Sequence, residues 1–283
     1  MKKFEENLIL EKKVLGKGIK YFRIYSSKVS RNCQAGQFVI VKIGEKGERI
    51  PLTICDWNRE KATISLVVQE IGKTTHQLGK MEPGDIIPHL LGPLGKPSEI
   101  EYFGKVVCVG GGVGVAEIYP IARALKEREN EVLCIIGARS KDLIILEEEL
   151  KEISDYLYVT TDDGSYGRKG MVTEVLKEII RETKVDCVFA VGPLVMMKAV
   201  SELTKPLGIP TKVSLNPIMV DGTGMCGSCR VKVWGEVKFA CVDGPEFDGH
   251  GVDFEELILR NQRFLEKERL SLEIYLKKGG GDD

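Results

Sequence analysis

Three cysteines and an aspartate share one glycine-rich stretch, Asp221-Gly222-Thr223-Gly224-Met225-Cys226-Gly227-Ser228-Cys229, with Cys241 beyond it. The thiols have the spacing Cys-x2-Cys-x11-Cys. Plant-type 2Fe-2S sites use Cys-x4-Cys-x2-Cys and a distant fourth cysteine. Laying Cys226 and Cys229 on the second and third of those positions, and Cys241 on the fourth, puts Asp221 on the first. Glycines at 222, 224 and 227 let the backbone turn tightly and aim amide N–H groups at cluster sulfurs. A carboxylate is a harder ligand than a thiolate, so Asp221 in that place would change the potential of a cluster. Three readings stand at this point. One is a 2Fe-2S cluster on Asp221, Cys226, Cys229 and Cys241, which the glycine-rich approach favours. Another is zinc, because Cys-x2-Cys is common in zinc sites. The third is a redox Cys-x2-Cys or a plain structural loop.

A second group of residues suits phosphate. Gly110-Gly111-Gly112-Val113-Gly114 follows the strand-like VVCV and precedes a helical pattern, so backbone N–H groups and a helix N-terminus would be open to an anion. The full G-x-G-x-x-G fingerprint is not met, since 115 is Val and 116 is Ala. Alone, this is equally a tight strand-to-helix turn. Three further loops, Gly137-Ala138-Arg139-Ser140, Asp162-Asp163-Gly164-Ser165 and Gly192-Pro193, also follow strand-like runs. Ligands of open parallel sheets bind outside the carboxyl ends of strands, where all four loops would converge. Nearer the N-terminus, Arg49-Ile50-Pro51-Leu52-Thr53-Ile54 and Gly72-Lys73-Thr74-Thr75 offer a guanidinium, an ammonium, hydroxyls and a flexible glycine, a set suited to a diphosphate. Each taken singly reads as an ordinary polar turn. His76, His89 and His250 show no ligand spacing, and neither G-x-S-x-G nor H-E-x-x-H occurs.

The elements that must position these residues follow from periodicity. Residues 1–102 carry short β-branched runs (KYFRIYS, QFVIVKI, ATISLVVQ) between turn signals, which predicts a small antiparallel β barrel ending at LLGPLGKP. Residues 103–214 alternate apolar strands with amphipathic helices, which predicts an α/β domain with a parallel sheet covered on both faces. Residues 215–250 hold the cysteine loop, and 251–283 read as a helical segment and tail that either docks a partner or caps the sheet. The 283-residue length agrees with about two domains. Forty-one basic against forty-two acidic residues leave no electrostatic footprint for nucleic acid or a membrane surface. No apolar run approaches the roughly 18 residues needed to span a bilayer, and MKKFEENLIL has no signal-like core. A cytoplasmic location is expected, with Cys55, Cys108, Cys134 and Cys187 as buried free thiols in apolar strands.

The order of these motifs, and VDGTGMCGSCRV above all, resembles the ferredoxin-NADP reductase superfamily over nearly the whole chain. Within it the chain resembles the electron-transfer subunits of dihydroorotate dehydrogenase. It is more similar still to the small (alpha) subunits of NADH-dependent reduced ferredoxin:NADP oxidoreductases, the sulfide dehydrogenase beta-subunit type. The resemblance implies FAD on the barrel, with Arg49 at the phosphates, Pro51, Leu52 and Thr53 along the flavin, and Gly72, Lys73, Thr74 and Thr75 at the pyrophosphate. Thr53 would hydrogen-bond flavin N5. It implies NAD(H) at Gly110, Gly111, Gly112, Val113, Gly114, Gly137, Ala138, Arg139, Ser140, Asp162, Asp163, Gly164, Ser165, Gly192 and Pro193. Electrons would run from NAD(H) through FAD and the cluster to a larger flavin and 4Fe-4S subunit that handles NADP(H) and ferredoxin. The FAD here would be the lower-energy arm of a bifurcating pair.

Two departures bear on this. The superfamily's Arg-x-Tyr-Ser/Thr motif has Leu52 for the aromatic, with Arg49 one residue further from Thr53. Dihydroorotate dehydrogenase subunits carry cysteine where Asp221 stands, which favours the transhydrogenase-type subunit, while a sulfur-reducing partner stays open. No acid immediately follows VLCIIGARS to grip a ribose hydroxyl, and Arg139 would suit a 2'-phosphate, so the choice of NAD(H) rests on the resemblance. A zinc-stabilised nucleotide-binding module without redox activity is the reading from another class; it expects colourless protein.

Overall fold

A computed structural model of the chain describes residues 4–45 and 47–279. Six strands form the first sheet: β1 (Ile9–Gly16), β2 (Ile19–Tyr25), β3 (Phe38–Lys42), β4 (Arg49–Asn58), β5 (Thr63–Gln69) and β6 (His89–Leu94). They pair antiparallel in the order β1-β2-β5-β4-β3-β6. The Ile9 N–H donates to the Asp85 carbonyl at 2.9 Å and the Ile87 N–H to the Asn7 carbonyl at 3.0 Å. These two bonds join β1 to the approach of β6 and close the sheet into a barrel. Alternate side chains of β2, β3, β4 and β5 fill it, with Phe22, Ile24, Val39, Val41, Ile54, Ile64, Leu66 and Val68 buried. Helix α1 (Ser27–Asn32) and helix α2 (Lys73–Lys80) cover its ends.

The second sheet follows the predicted βαβ rhythm. Its strands are β7 (Lys105–Gly111), β8 (Glu131–Ala138), β9 (Tyr156–Thr161), β10 (Arg168–Lys169), β11 (Cys187–Val191) and β12 (Thr211–Ser214). Helices α3 (Val115–Glu127), α4 (Glu147–Ile153), α5 (Val172–Glu182) and α6 (Leu194–Thr204) run between them. Beyond these come a hairpin of β13 (Arg230–Val233) and β14 (Glu236–Phe239), the short α7 (Ala240–Asp243) and β15 (Glu246–Asp248). Helices α8 (Phe254–Asn261) and α9 (Leu265–Lys277) end the described chain.

The sheet order is β10-β9-β8-β7-β11-β12-β15, with only β15 antiparallel. The cysteine segment is therefore tied into the nucleotide sheet through its own edge strand. Successive residues of β7 point to opposite faces: Val107 and Val109 meet α5 and α6, while Val106 and Cys108 meet α3. The continuous apolar strands of the sequence have this as their cause.

Helix α3 is shared by the two sheets. Ile118, Ile121 and Leu125 are fully buried in a core that also holds Ile19, Cys55 and Val67 of the barrel. Each such side chain contributes roughly 1.5–3 kcal/mol by leaving water. An ion pair of 2.5 Å from Arg123 to Asp56, with the guanidinium 5.0 Å from the Trp57 ring centroid, pins the same helix to β4. Cys55, Cys108, Cys134 and Cys187 are buried free thiols as expected, and Cys33 joins them. No helix among the described residues is long and apolar enough to cross a membrane.

Candidate functional site

A cleft of about 570 Å³ separates the barrel from the nucleotide sheet. Its barrel wall comprises Phe38, Ile50, Pro51, Leu52, Thr53, Val67 and the turn Gly72, Lys73, Thr74 and Thr75. The opposite wall is Val113 of the glycine loop, Ala116 and Glu117 from the start of α3, and Leu215, Asn216 and Met219 from the segment entering the cysteine loop. Helix α9 supplies a third side with Leu265, Glu268, Arg269, Ser271 and Leu272. This helix leans on α2, where the Lys80 ammonium lies 5.1 Å from the Tyr275 ring centroid. The C-terminal segment thus divides its roles: α8 packs against α6 and β13, and α9 borders the cleft.

The lining fits a flavin dinucleotide. Apolar groups from both walls offer a surface for a flat ring, and Lys73 and Thr74, following Gly72 at the N-terminus of α2, offer N–H groups and a cation for a diphosphate. Thr75 has a narrower part. Its hydroxyl accepts from the Gly72 N–H at 2.9 Å and the Ile71 N–H at 3.0 Å, and so locks the turn. Arg49 is exposed at the outer end of β4 and is not among the residues lining the cleft. Phe38, paired with Thr53 across β3 and β4, brings an aromatic ring into the wall where Leu52 replaces one.

Thr53 shares the cleft with an acid that no motif announced. Glu117, in the first turn of α3, lines the same cleft. Burial pushes the Glu117 carboxyl up to about 7, and the Thr53 hydroxyl opposes that rise only in part.

The four nucleotide loops meet in two pairs at the carboxyl end of the parallel strands. At the switch point between β7 and β11, a Cβ on Gly114 would lie 2.4 Å from the Val191 carbonyl oxygen, and one on Gly111 3.1 Å from Pro193 Cδ. The loops after β8 and β9 are joined by the Asp162 N–H to the Ala138 carbonyl at 3.0 Å and the Asp163 N–H to the Arg139 carbonyl at 3.2 Å. Arg139 is exposed, and Asp162 and Asp163 of the loop after β9 are bonded to its segment, so an acid from the neighbouring loop stands where the β8 loop has none. Of these loops, only the first, through Val113, reaches the cleft. Tyr166 donates to Glu147 at 3.0 Å and lies under Lys141, which is packing.

The cysteine loop is held against the barrel by Gly222, where a Cβ would come within 2.7 Å of Ile40 and 2.8 Å of Leu94, at a φ of +76°. Among the described residues, no three ligand-type side chains surround one point as a single ion requires. Cys229 and Cys241 are buried with their sulfurs 3.3 Å apart. Asp221 takes the Cys226 N–H at 2.7 Å, and the Thr223 N–H, also at 2.7 Å, holds its carboxyl below the usual range. Cys229 and Cys241 thus present a ready pair of thiols, with Asp221 and Cys226 in the same loop, the donor set a 2Fe-2S cluster would take.

Amide groups already aim at sulfur: the Ser228 N–H at Cys226 and the Cys241 N–H at Cys229, each at 3.5 Å. Burial and the adjacent Cys229 thiol push the Cys241 thiol up to about 12, and a bound metal's charge would make it a thiolate at neutral pH. Arg260 of α8 donates to the Ser228 carbonyl at 3.2 Å, between Cys226 and Cys229. Its position could not be read from spacing, because it comes from another element. Glu117 carried a faint signal, an acid just past a glycine loop.

Comparison with known proteins agrees with this arrangement. The iron-sulfur cluster binding domain of dihydroorotate dehydrogenase B matches residues 216–253, and the oxidoreductase NAD-binding domain matches residues 108–202. A Thermotoga maritima protein named dihydroorotate dehydrogenase B (NAD(+)), electron transfer subunit homolog, is 52% identical over 274 residues, 97% of each chain. A probable dihydroorotate dehydrogenase B electron transfer subunit of Methanopyrus kandleri is 34% identical, over 76% of this chain and 79% of that one. A solved structure of the NADH-dependent reduced ferredoxin-NADP oxidoreductase, reported for insights into flavin-based electron bifurcation, superposes with a TM-score of 0.92 at 50% identity, covering 98% of this chain and 100% of that one. An Amycolatopsis cytochrome P450 reductase shares the fold at 22% identity, with a TM-score of 0.62 over 71% of this chain and 65% of that one. With identity above half carried through both sheets and the cysteine loop, the chain belongs to the family of dihydroorotate dehydrogenase B electron transfer subunits and their homologues.

Proposed function

We propose that this chain is the NAD(H)-oxidising electron-transfer subunit of an electron-bifurcating NADH-dependent reduced ferredoxin:NADP oxidoreductase. It passes electrons between NAD(H), FAD and a 2Fe-2S cluster to a larger flavin and 4Fe-4S subunit that handles NADP(H) and ferredoxin. One observation carries this reading: a single flavin-sized cleft is bordered both by the glycine loop of a nucleotide sheet and by the segment running into the cysteine loop. A two-electron donor and a one-electron carrier thereby share one intermediary. FAD supplies the chemistry between them, since it accepts hydride and releases electrons singly. The protein's part is to orient. Thr53 faces the ring edge, Gly110 to Gly114 and Gly192-Pro193 hold the dinucleotide, and Gly222 keeps the cluster ligands against the barrel. Met225, 90% exposed beside the exposed Cys226, leaves that edge of the loop open to a partner.

The second reading is an electron-transfer subunit of a dihydroorotate dehydrogenase, favoured by the names of the relatives and of the cluster-domain model. Asp221 at the first ligand position favours the bifurcating complex.

The test is an anaerobic absorbance spectrum of the purified chain with flavin, iron, sulfide and zinc assayed on the same sample. FAD with iron and sulfide in the proportion of one 2Fe-2S cluster per chain is expected, with faster flavin bleaching by NADH than by NADPH in stopped flow. Zinc without flavin would overturn the proposal. Purification with the native partner separates the two readings, through either 4Fe-4S signals and NADP(H) turnover or dihydroorotate oxidation.

A further inference from the structure

Helix α9 is anchored mainly at one end. Of its 13 residues only Tyr275 is buried, while Leu265, Leu270, Ile274 and Leu276 stay 39% to 56% exposed. Its anchor is α2: the Lys80 ammonium lies 5.1 Å from the Tyr275 ring centroid and donates to the Gly279 carbonyl at 3.4 Å. The earlier turns of α9 face the cleft instead. Leu265, Glu268, Arg269 and Leu272, spaced i, i+3, i+4 and i+7, form one stripe along its wall. At about 1.5 Å per residue, Arg269 stands about 9 Å along the axis from Tyr275, and Lys73 about 10 Å along α2 from Lys80. The two helices thus meet near their C-terminal ends, and each brings a cation into the cleft toward its N-terminal end. Among the described residues, Lys73 and Arg269 are the cations of the cleft lining, and Arg49 stands outside it. Of the acids in the lining, Glu48 accepts from the Thr74 hydroxyl at 3.4 Å, Glu117 lies on the opposite wall and Glu268 directly precedes Arg269. Among the described residues no carboxylate pairs with Arg269, so its guanidinium is open to an anion.

We propose that α9 belongs to the flavin site and that Arg269 is the second cation, with Lys73, for the FAD diphosphate. The proposal deepens the FAD reading above and rests on it. Each phosphate of the dinucleotide is anionic. The first turn of α2 supplies N–H groups and the Lys73 ammonium, which acts as a point charge. The guanidinium of Arg269 adds a planar fork that grips phosphate oxygens in pairs, which an ammonium cannot do. Leu265 and Leu272 flank it on the same stripe and add apolar surface to that side of the site. With little apolar burial of its own, α9 would in turn be held on the cleft by the dinucleotide. The C-terminal helix is then a part of the cofactor site rather than a cap on the sheet, and the guanidinium expected from β4 comes from the far end of the chain.

The test compares FAD with riboflavin, which has the same ring and no diphosphate. Both are titrated anaerobically into the full chain, with its cluster in place and its flavin removed by dialysis, and dissociation constants are read from flavin fluorescence. The variants are Arg269→Gln, Arg269→Lys and Lys267→Gln. Lys267 is the control: it lies on the same helix outside the cleft lining, with its ammonium 6.0 Å from the Phe264 ring centroid. Arg269→Gln should weaken FAD by about 10- to 100-fold, as loss of a hydrogen bond to a charged group does, and leave riboflavin within about twofold of wild type. Added salt should weaken FAD more steeply in wild type than in Arg269→Gln. Arg269→Lys should fall between the two, since it keeps the charge and loses the fork. Lys267→Gln should bind FAD as wild type does. Unchanged FAD binding in Arg269→Gln would overturn the proposal alone. So would equal weakening of riboflavin, the sign of a displaced helix, or equal weakening of FAD in Lys267→Gln, the sign of a diffuse field. A wild-type chain that binds no FAD would overturn it together with the functional reading.

Discussion

Replacing Gly114 by alanine adds one methyl group where the first and last nucleotide loops touch. Gly114 has φ −59° and ψ −15°, an ordinary helical conformation, so alanine costs nothing in backbone strain. The cost is contact. The new Cβ would lie 2.4 Å from the Val191 carbonyl oxygen, 2.7 Å from its carbon and 2.9 Å from Gly192 Cα. All three are backbone atoms at the end of a central strand, so no side chain can rotate away. Carbon atoms settle at about 3.5–4.0 Å, and the glycine loop must therefore move by roughly 1 Å. Overpacking of this kind costs about 1–3 kcal/mol of stability. A displacement near 1 Å in a positioning loop can cost on the order of 100-fold in rate.

The matched control is Gly208→Ala, at φ +64° with nothing within 4 Å of the added Cβ. It carries a left-handed backbone penalty of about 1–2 kcal/mol without touching the nucleotide loops. Denaturant unfolding should therefore show similar losses in the two variants. Stopped-flow reduction by NADH should fall about 100-fold in kcat/KM for Gly114→Ala only. Wild-type NADH kinetics in Gly114→Ala, or an equal kinetic loss in Gly208→Ala, would refute the placement of the nucleotide at these loops.

Four further outcomes are expected. Asp221→Ala removes the proposed fourth ligand and the acceptor of two N–H groups, so iron and sulfide should drop to well under half of wild type while flavin content holds; Asp221→Cys should keep the cluster with altered electron paramagnetic resonance and potential. Gly222→Ala drives a methyl into Ile40 and Leu94 at a positive φ, and is expected to slow flavin-to-cluster passage more than NADH-to-flavin reduction. Arg260→Leu withdraws a cation beside the Cys226–Cys229 turn, and a redox titration should find the cluster potential lowered by tens of millivolts. Glu246 is held by the Ser98 hydroxyl at 2.9 Å, and burial raises its carboxyl to about 7 from an ordinary value of 4.5. Its unfolded form ionises first, so native stability is lost as pH climbs from about 4.5 to about 7 and then levels. Glu246→Gln should match wild type near pH 4 and be more stable at pH 8, by at most about 3 kcal/mol in denaturant titrations.

What was legible in the chain were features carried by neighbours in sequence. Strand runs, the βαβ rhythm, the Gly110–Gly114 turn and the Asp221 to Cys241 spacing all lie within short stretches, where periodicity and glycine act locally. Where local pattern ended, so did legibility. Asp221 and Cys226 are neighbours by spacing, but the closeness of Cys229 to Cys241 needs the β13–β14 hairpin to fold back. Thr53 of β4 and Glu117 of α3 are far apart in sequence, and they line one cleft because α3 buries apolar faces against both sheets. Arg260 reaches Ser228 from 32 residues away, and α9 lies along the cleft because α2 offers it a surface. The segment 215–250, set apart by composition, lends its last strand to the nucleotide sheet, since β12 has an open edge there. Residue types and short spacings thus determined which cofactors this chain can bind. The packing of one shared helix and one glycine contact decided how those sites are placed against each other, because contacts between distant segments are set by which buried faces find one another and leave no periodic trace in sequence.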